Sequence, residues 1–203
     1  HIRPETDIAF LSGIIRYLLE KDLWFKEYVL AYTNASTIIN PNFNFDDATG
    51  LFNGWDPVTR SYSKEPNSWD YEYEINPDGS RGAPKTDPTL QNPRCVFQLL
   101  KKQVAKYTPE AVANICGCRP CDIVKVAELL AQNSGPDKTS AFCYATGFTQ
   151  HSAGTQIIRT CAILQTLLGN IGRPGGGILA LRGHSNVQGA TDIPTLFAEL
   201  PNY

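Results

Sequence analysis

The strongest constraint on the fold is a change of hydrophobic period in the C-terminal third of the chain. Thr139 to Ala145 (TSAFCYA) is a short apolar run that breaks at Gly147, the pattern of a buried strand. Beyond it, Ile158, Cys161, Ala162, Gln165 and Leu168 recur at helical spacing between Ser152 and Leu168. Helix, strand, glycine-bearing loop and helix, in that order, make half of a doubly wound α/β layer. Ligands of such layers sit beyond the carboxyl ends of the strands, where loops meet helix N-termini. Thr146-Gly147-Phe148-Thr149-Gln150-His151 is therefore either a ligand crevice or an ordinary strand-to-helix turn.

The residues before the strand supply helices around one long interruption. Thr6-Asp7 caps a helix whose apolar positions Leu11, Ile14, Ile15, Leu18 and Leu19 fall on one face. Asp22 caps a second, carrying Leu23, Trp24, Phe25, Tyr28 and Val29, so that residues 1–32 read as a helical hairpin completing an α/β domain. Periodicity then disappears over residues 33–93, where Phe43, Phe45, Phe52, Trp55, Tyr62, Trp69, Tyr71 and Tyr73 lie among Asn, Asp, Gly and Pro. So many aromatics must be buried somewhere, which points to an ordered insertion lying over a larger body. No internal repeat is evident in the sequence, and Tyr71 to Gly79 has the composition of a hairpin start. From 94 to 203 regular structure returns. Val96, Phe97, Leu99, Leu100 and Val104 share a helical face, Thr108-Pro109-Glu110 starts a helix, and Pro120 opens another with Ile123, Val126, Ala127 and Leu130 inward.

Composition excludes several classes. The 18 basic and 20 acidic side chains leave a net charge of −2, which argues against a nucleic-acid groove or a polybasic membrane patch. No apolar run reaches the roughly 18 residues of a membrane span, and no signal peptide is present. With His1 first and no methionine, the chain is expected to be a processed product, an engineered fragment or an internal piece.

Three motifs invite chemistry. Cys116-Gly117-Cys118-Arg119-Pro120-Cys121 could ligate zinc or an iron–sulfur cluster, or act as a redox pair. A complete metal site needs four ligands and no histidine is near in sequence, which favours a helix end, a turn and the next helix start. Cys143 in the strand and Cys161 on the helix read as small core residues. Gly172 to Gly177 lacks the pattern of a P-loop or a dinucleotide fingerprint; it is either a flexible turn or a place where backbone passes close to something large. Leu181 to Asp192 crowds Arg, His, Ser, Asn, Gln, Thr and Asp between glycines, a density that suits a polar ligand held by many directed bonds. Arg182 offers a planar fork for a carboxylate, and His184 can donate or shuttle a proton. A solvated loop of turn-formers has the same composition.

The stretch GFTQHSAGTQIIRTCAILQTLLGNIGRPGGGILALRGHSNVQGATD closely resembles the catalytic subunit of formate dehydrogenases in the molybdopterin oxidoreductase (DMSO reductase) superfamily. IRPETDIAFLSGIIRYLLE, EYVLAYTNAS, GLFNGWD and NPRCVFQLLKKQVAKYTPE are similar to the same subunit, and the match is best to the membrane-associated and periplasmic branch. The resemblance implies an α/β fold, part of a doubly wound nucleotide-binding layer with flanking helices and the aromatic-rich insertion. It implies an oxidoreductase interconverting formate and carbon dioxide at a molybdenum or tungsten bis(molybdopterin guanine dinucleotide) centre. Electrons would pass through a 4Fe-4S cluster to an iron–sulfur electron-transfer subunit, in anaerobic respiration and in the periplasm. Arg182 matches the arginine that orients formate, with Gly183 and Thr191 at other pocket positions. Gly147, Thr149, Gln150, His151, His184, Ser185, Asn186 and Gln188 resemble the loops that hold the pterin cofactor. The family's metal-ligating cysteine or selenocysteine, its neighbouring histidine and its cluster motif lie N-terminal to the matched region. The segment is therefore expected to be inactive alone and to need the remainder of the catalytic subunit, and none of its cysteines is expected to bind metal. Relatives acting on nitrate, arsenate or polysulfide share the scaffold, and a non-catalytic binding module is the reading from another class.

Overall fold

In the computed structural model, which describes residues 1–62, 68–181, 183 and 189, the stripe Leu11, Ile14, Ile15, Leu18 and Leu19 is buried along helix α1 (Asp7–Glu20). Asp7 complements the positive end of the helix, but the Thr6 hydroxyl donates to the Arg3 carbonyl at 2.7 Å instead of capping. Helix α2 (Lys26–Tyr32) begins later than an Asp22 cap requires. Asp22 takes a left-handed turn (φ 55°) and the following Leu23 N–H bonds back to the Leu18 carbonyl at 2.8 Å.

The interruption is not irregular throughout. Among the described residues it carries three antiparallel hairpins: β1 (Phe45–Asp46) with β2 (Leu51–Phe52), β3 (Trp55–Asp56) with β4 (Ser61–Tyr62), and β5 (Tyr73–Ile75) with β6 (Arg81–Pro84). Two of them are built alike, ten residues apart, on Asp46-x-x-Thr49 and Asp56-x-x-Thr59. Each aspartate accepts from the backbone N–H two residues on and from the threonine hydroxyl three residues on, at 2.8–2.9 Å. A short repeat therefore exists where none is evident by eye. Cross-strand rings then meet, Phe45 with Phe52 at 4.8 Å and Trp55 with Tyr62 at 5.1 Å, and Trp69 closes on Tyr62 at 4.9 Å.

These turns and the ion pairs beyond them are acid-sensitive. Threonine hydroxyls and backbone N–H groups hold Asp46 and Asp56 below the ordinary carboxylate range. The Tyr71 N–H, the Tyr73 hydroxyl and Arg81 do the same for Asp70, as do Lys85 and Arg94 for Glu72. A depressed folded-state pKa adds stability that is complete above the unfolded value and is lost as pH falls through the folded one. Below about pH 4 the insertion should loosen before the helices do. Hydrogen exchange should show Glu72 and Lys85 amides losing protection while α1 amides keep theirs; simultaneous loss would contradict this.

Helices α3 (Val96–Val104), α4 (Pro109–Cys116) and α5 (Pro120–Gln132) follow the sequence pattern closely. Thr108 Oγ1 accepts the Ala111 N–H at 3.1 Å, Pro109 fills the first helical position, and Gly117 ends α4 with φ 71°. The cysteine run is thus a helix end, a turn and a helix start, with Cys116 buried and Cys121 exposed.

Strand β7 (Ala141–Tyr144) follows, then the single turn α6 (Thr146–Thr149), helix α7 (Gly154–Leu167) and strand β8 (Gly177–Ala180). β7 and β8 pair in parallel, with Ala141 opposite Gly177 and Tyr144 opposite Ala180, so α7 is the crossover of a βαβ unit. One strand face, with Phe142 and Ile178, packs toward the core. The other leaves Ala141, Cys143 and Leu179 exposed, which corrects the expectation of a core Cys143: alternation along β7 turns it away from α7. Cys161 is fully buried as expected. α1 lies at the centre, against α3, α4, α5 and α7. α2 docks on the end of α7, Phe25 N–H to Leu167 O at 2.9 Å and Tyr28 hydroxyl to Ile171 O at 2.8 Å. Among the described residues, no helix is long and apolar enough to cross a membrane.

Two buried polar side chains tie the start of the strands to α7. Gln165 donates to Ser140 O at 2.8 Å and to Gly177 O at 2.7 Å, and accepts from Asn170 at 2.9 Å. Asn170 also donates to the Ser134 and Ser140 hydroxyls, each at 3.0 Å. Gln165→Leu would remove the side-chain donor to two backbone carbonyls and one acceptor of the Asn170 amide. The expected cost is about 2–3 kcal/mol, measurable by chemical denaturation, and an unchanged midpoint would show that water replaces the side chain.

Candidate functional site

Parallel pairing sends both strands out of the sheet at the same edge. The loop after β7 and the loop after β8 therefore leave side by side, and Leu181 N–H donates to Tyr144 O at 2.7 Å, one residue beyond the last strand pair. This edge is where open α/β layers bind ligands.

On the β7 side, α6 is a tight turn held by Phe148 N–H to Ala145 O at 3.2 Å and Gln150 N–H to Thr146 O at 2.9 Å. Phe148 stacks on Tyr144, with ring centroids 5.9 Å apart and planes 12° from parallel. Gly154, the first residue of α7, tucks under this turn. A Cβ there would stand 2.8 Å from Thr149 O and 2.9 Å from Phe148 O. In the sequence Tyr144 is legible only as a strand residue and Leu181 only as the start of the polar run, while Gly154 leaves a trace in the small-residue triplet Ser152-Ala153-Gly154.

The turn presents unspent polar groups. Thr149 and Gln150 are exposed and His151 is half-buried, and their side chains have no hydrogen-bond partner among the described residues. Gly147 is exposed, with no atom of the described residues within 4 Å of where its Cβ would be. One hydroxyl, one amide and one imidazole stand beside open backbone, a set of donors and acceptors suited to a large polar ligand. The α7 N-terminus beneath them has no side-chain cap, so its first N–H groups add a positive pole to this edge.

The structure brings Gly147, Thr149, Gln150 and His151 together on one turn. Beyond β8 it describes Gly183, which is exposed, with no atom of the described residues within 4 Å of where its Cβ would be. Arg182, His184, Ser185, Asn186, Gln188 and Thr191 lie outside the described residues. The glycine run upstream forms a turn that leads into β8. Its close approach is internal: a Cβ on Gly176 would collide with the Asn170 carbonyl oxygen.

The buried thiols are poor candidates for chemistry. Burial pushes Cys161 up to about 11 and also raises Cys116, whose Sγ lies 3.5 Å from Thr6 O, so both remain protonated and inert near neutral pH. Among the described residues, no group of three or more His, Cys, Asp or Glu side chains could hold a metal ion.

No family model matches the chain. Among curated proteins it is 52% identical over 202 residues to the major subunit of the nitrate-inducible formate dehydrogenase of Escherichia coli, covering 100% of this chain and 19% of that protein. It is 46% identical over 202 residues to the alpha subunit of formate dehydrogenase 2 (cytochrome c-553) of Nitratidesulfovibrio vulgaris, with the same coverage of 100% and 19%. It is 29% identical over 211 residues to a sulfite dehydrogenase polypeptide of Allochromatium vinosum, covering 86% of this chain and 21% of that protein. The chain thus spans about a fifth (19%) of the length of the formate dehydrogenase subunits that it matches from end to end.

Proposed function

From this end-to-end relation, we propose that the chain is a stretch of the catalytic subunit of a formate dehydrogenase, part of an enzyme that interconverts formate and carbon dioxide. The 52% identity over 202 residues carries the reading. The fold supports it, because the polar turn after β7 lies at the carboxyl edge of a parallel strand pair, beside Leu181, after which the sequence continues into the polar run Arg182 to Asp192.

The reaction removes a proton and two electrons from formate and leaves carbon dioxide. A molybdenum or tungsten bis(molybdopterin guanine dinucleotide) cofactor would accept the two electrons, and a 4Fe-4S cluster held elsewhere in the subunit would pass them on. The residues present suit such a cofactor: Thr149, Gln150 and His151 are free to bond its polar edges, and Gly147 leaves room beside them. His184, Ser185, Asn186 and Gln188 would complete the cradle from the other loop. Arg182 would grip the two oxygens of formate, Gly183 would leave space for it, and Thr191 would offer a hydroxyl at the pocket wall. The exposed face of Ala141, Cys143 and Leu179 supports extension into a doubly wound nucleotide-binding layer, since parallel sheets are covered on both faces. In this reading residues 1–32 and 94–203 belong to that α/β body and 33–93 form the insertion over it. An iron–sulfur subunit takes the electrons, the enzyme works in the periplasm, and these 203 residues alone do not turn over.

The test is to purify the complete subunit in its native assembly, assay formate-dependent reduction of a viologen dye, and measure molybdenum and tungsten by mass spectrometry. Formate turnover with one of these metals bound is the expected result. Activity on sulfite, nitrate, arsenate or polysulfide without formate activity would move the chain to another branch of the superfamily. Absence of both metal and turnover would leave a binding module.

A further inference from the structure

The turn that leads into Thr149, Gln150 and His151 is α6, a helix of only four residues. So short a helix has no stability by itself, and it takes its position from what it touches. Beneath it lies Gly154, buried at the start of α7. The last two carbonyls of α6 close over this glycine: a Cβ there would stand 2.9 Å from Phe148 O, 2.8 Å from Thr149 O and 3.2 Å from the Thr149 carbonyl carbon. All three are backbone atoms, so no rotamer change can make room, and the turn itself would have to rise. The backbone at Gly154 is not left-handed, so glycine is needed here for space and not for conformation. Gly154 N–H also donates to His151 O at 3.1 Å, which ties the end of the turn to the helix below it.

The second hold on the turn is aromatic. Phe148 packs against the core and lies parallel to the Tyr144 ring, within 12°. Tyr144 ends β7, and its carbonyl accepts the Leu181 N–H at 2.7 Å. The ring stack therefore anchors the turn to the strand end that also fastens the chain leaving β8. Thr149, Gln150 and His151 make no side-chain hydrogen bonds among the described residues, so where they stand follows from the backbone that carries them.

We propose that Gly154 and Phe148 are positioning residues for cofactor binding. Gly154 sets how closely the turn sits on α7, and Phe148 fixes the turn against β7. Together they hold the three polar side chains where a large polar cofactor can take their hydrogen bonds. The inference rests on reading this edge as part of the molybdopterin cradle of a formate dehydrogenase. Neither residue touches cofactor or formate in this role; each acts through Thr149, Gln150 and His151. Groups that support a binding shell from behind typically change affinity or activity by about 10- to 100-fold when altered.

The experiment compares Gly154→Ala, Phe148→Leu, Phe148→Tyr and Gly13→Ala in the complete subunit, purified in its native assembly. Gly13→Ala is the structural control, since a Cβ there would stand 2.8 Å from Val112 Cγ2, a clash of similar size within the helical core. Each preparation is held below its own thermal midpoint, and bound pterin is followed over time by the fluorescence of its oxidised derivative. Gly154→Ala and Phe148→Leu should lose pterin about 10- to 100-fold faster than the unsubstituted assembly. Phe148→Tyr keeps the stacked ring and should match the unsubstituted assembly, as should Gly13→Ala. Hydrogen exchange should show the Phe148 and Gln150 amides losing protection in Gly154→Ala while α1 amides keep theirs. If Gly154→Ala does not assemble, the two Phe148 variants decide. Pterin held at the unsubstituted rate in Gly154→Ala or Phe148→Leu, or lost as fast from Gly13→Ala, would overturn the proposal and leave the formate dehydrogenase reading intact. Absence of pterin from the unsubstituted assembly would overturn that reading, and with it the role given to both residues.

Discussion

Arg182→Ala in the complete subunit should cut formate oxidation by about 10²- to 10⁴-fold while leaving the metal and pterin content unchanged. Formate has one carbon and two oxygens, so it offers no remote group through which binding energy could orient it. Its recognition must come from contacts to the carboxylate itself. A guanidinium supplies two parallel charge-assisted bonds in a fixed plane, and each bond of that kind is worth about 1.5–3 kcal/mol. Losing both gives the range stated. Arg182→Lys keeps the charge but not the fork, and should recover only part of the loss. Turnover is read with formate and a viologen dye, and metal by mass spectrometry. Near-normal turnover in the alanine variant would remove Arg182 from the role, and loss of metal would assign it to the cofactor instead.

Gly176→Ala should be the most disruptive small substitution in the described fold. The new methyl group would collide with Asn170 O and stand 3.0 Å from the carbonyl carbon, both backbone atoms with no side-chain freedom to yield. Moving the Asn170 backbone would pull its amide from Ser134, Ser140 and Gln165. The expected loss is at least ~4 kcal/mol, well above an ordinary surface change. Gly172→Ala is the control. Its φ of 74° is left-handed, but nothing lies within 4 Å of the added atom, so only the conformational cost of about 1 kcal/mol applies. Thermal denaturation of the complete subunit should separate the two variants clearly. Equal shifts would mean that the turn relaxes around the methyl group.

The helical frame is legible in the sequence because its signals are local. The α1 stripe, the Thr108 cap and the Pro120 start each lie within a few residues, and the structure reproduces them. β8 is hidden because Gly177 to Ala180 is four residues after a glycine run and becomes a strand only by pairing with β7, more than thirty residues earlier. The hairpins of the insertion hide for a related reason: strands of two residues have no alternation to read, and only the Asp-x-x-Thr spacing betrays the turns. Cys143 is misplaced because a short apolar run does not reveal which face a neighbouring helix will cover. At the candidate site, Gly147, Thr149, Gln150 and His151 are legible as a strand-end turn. Their nearness to the start of the second loop is not, since it depends on the parallel register and on the Leu181 to Tyr144 bond.

The Gln165 clasp has a consequence for how this region can change. Its two donated bonds fasten the strands at Ser140 and Gly177, the end where they come into the sheet. The loops that carry the candidate chemistry leave from the other end, so their composition is mechanically insulated from the joint that holds the strands together. A descendant of this fold could trade one substrate for another by rewriting the exit loops while the clasped end stays fixed. The stability of the fold, as distinct from its activity, should therefore be insensitive to change after Ala145 and Leu181 and sensitive around Ser140, Gln165, Asn170 and Gly176.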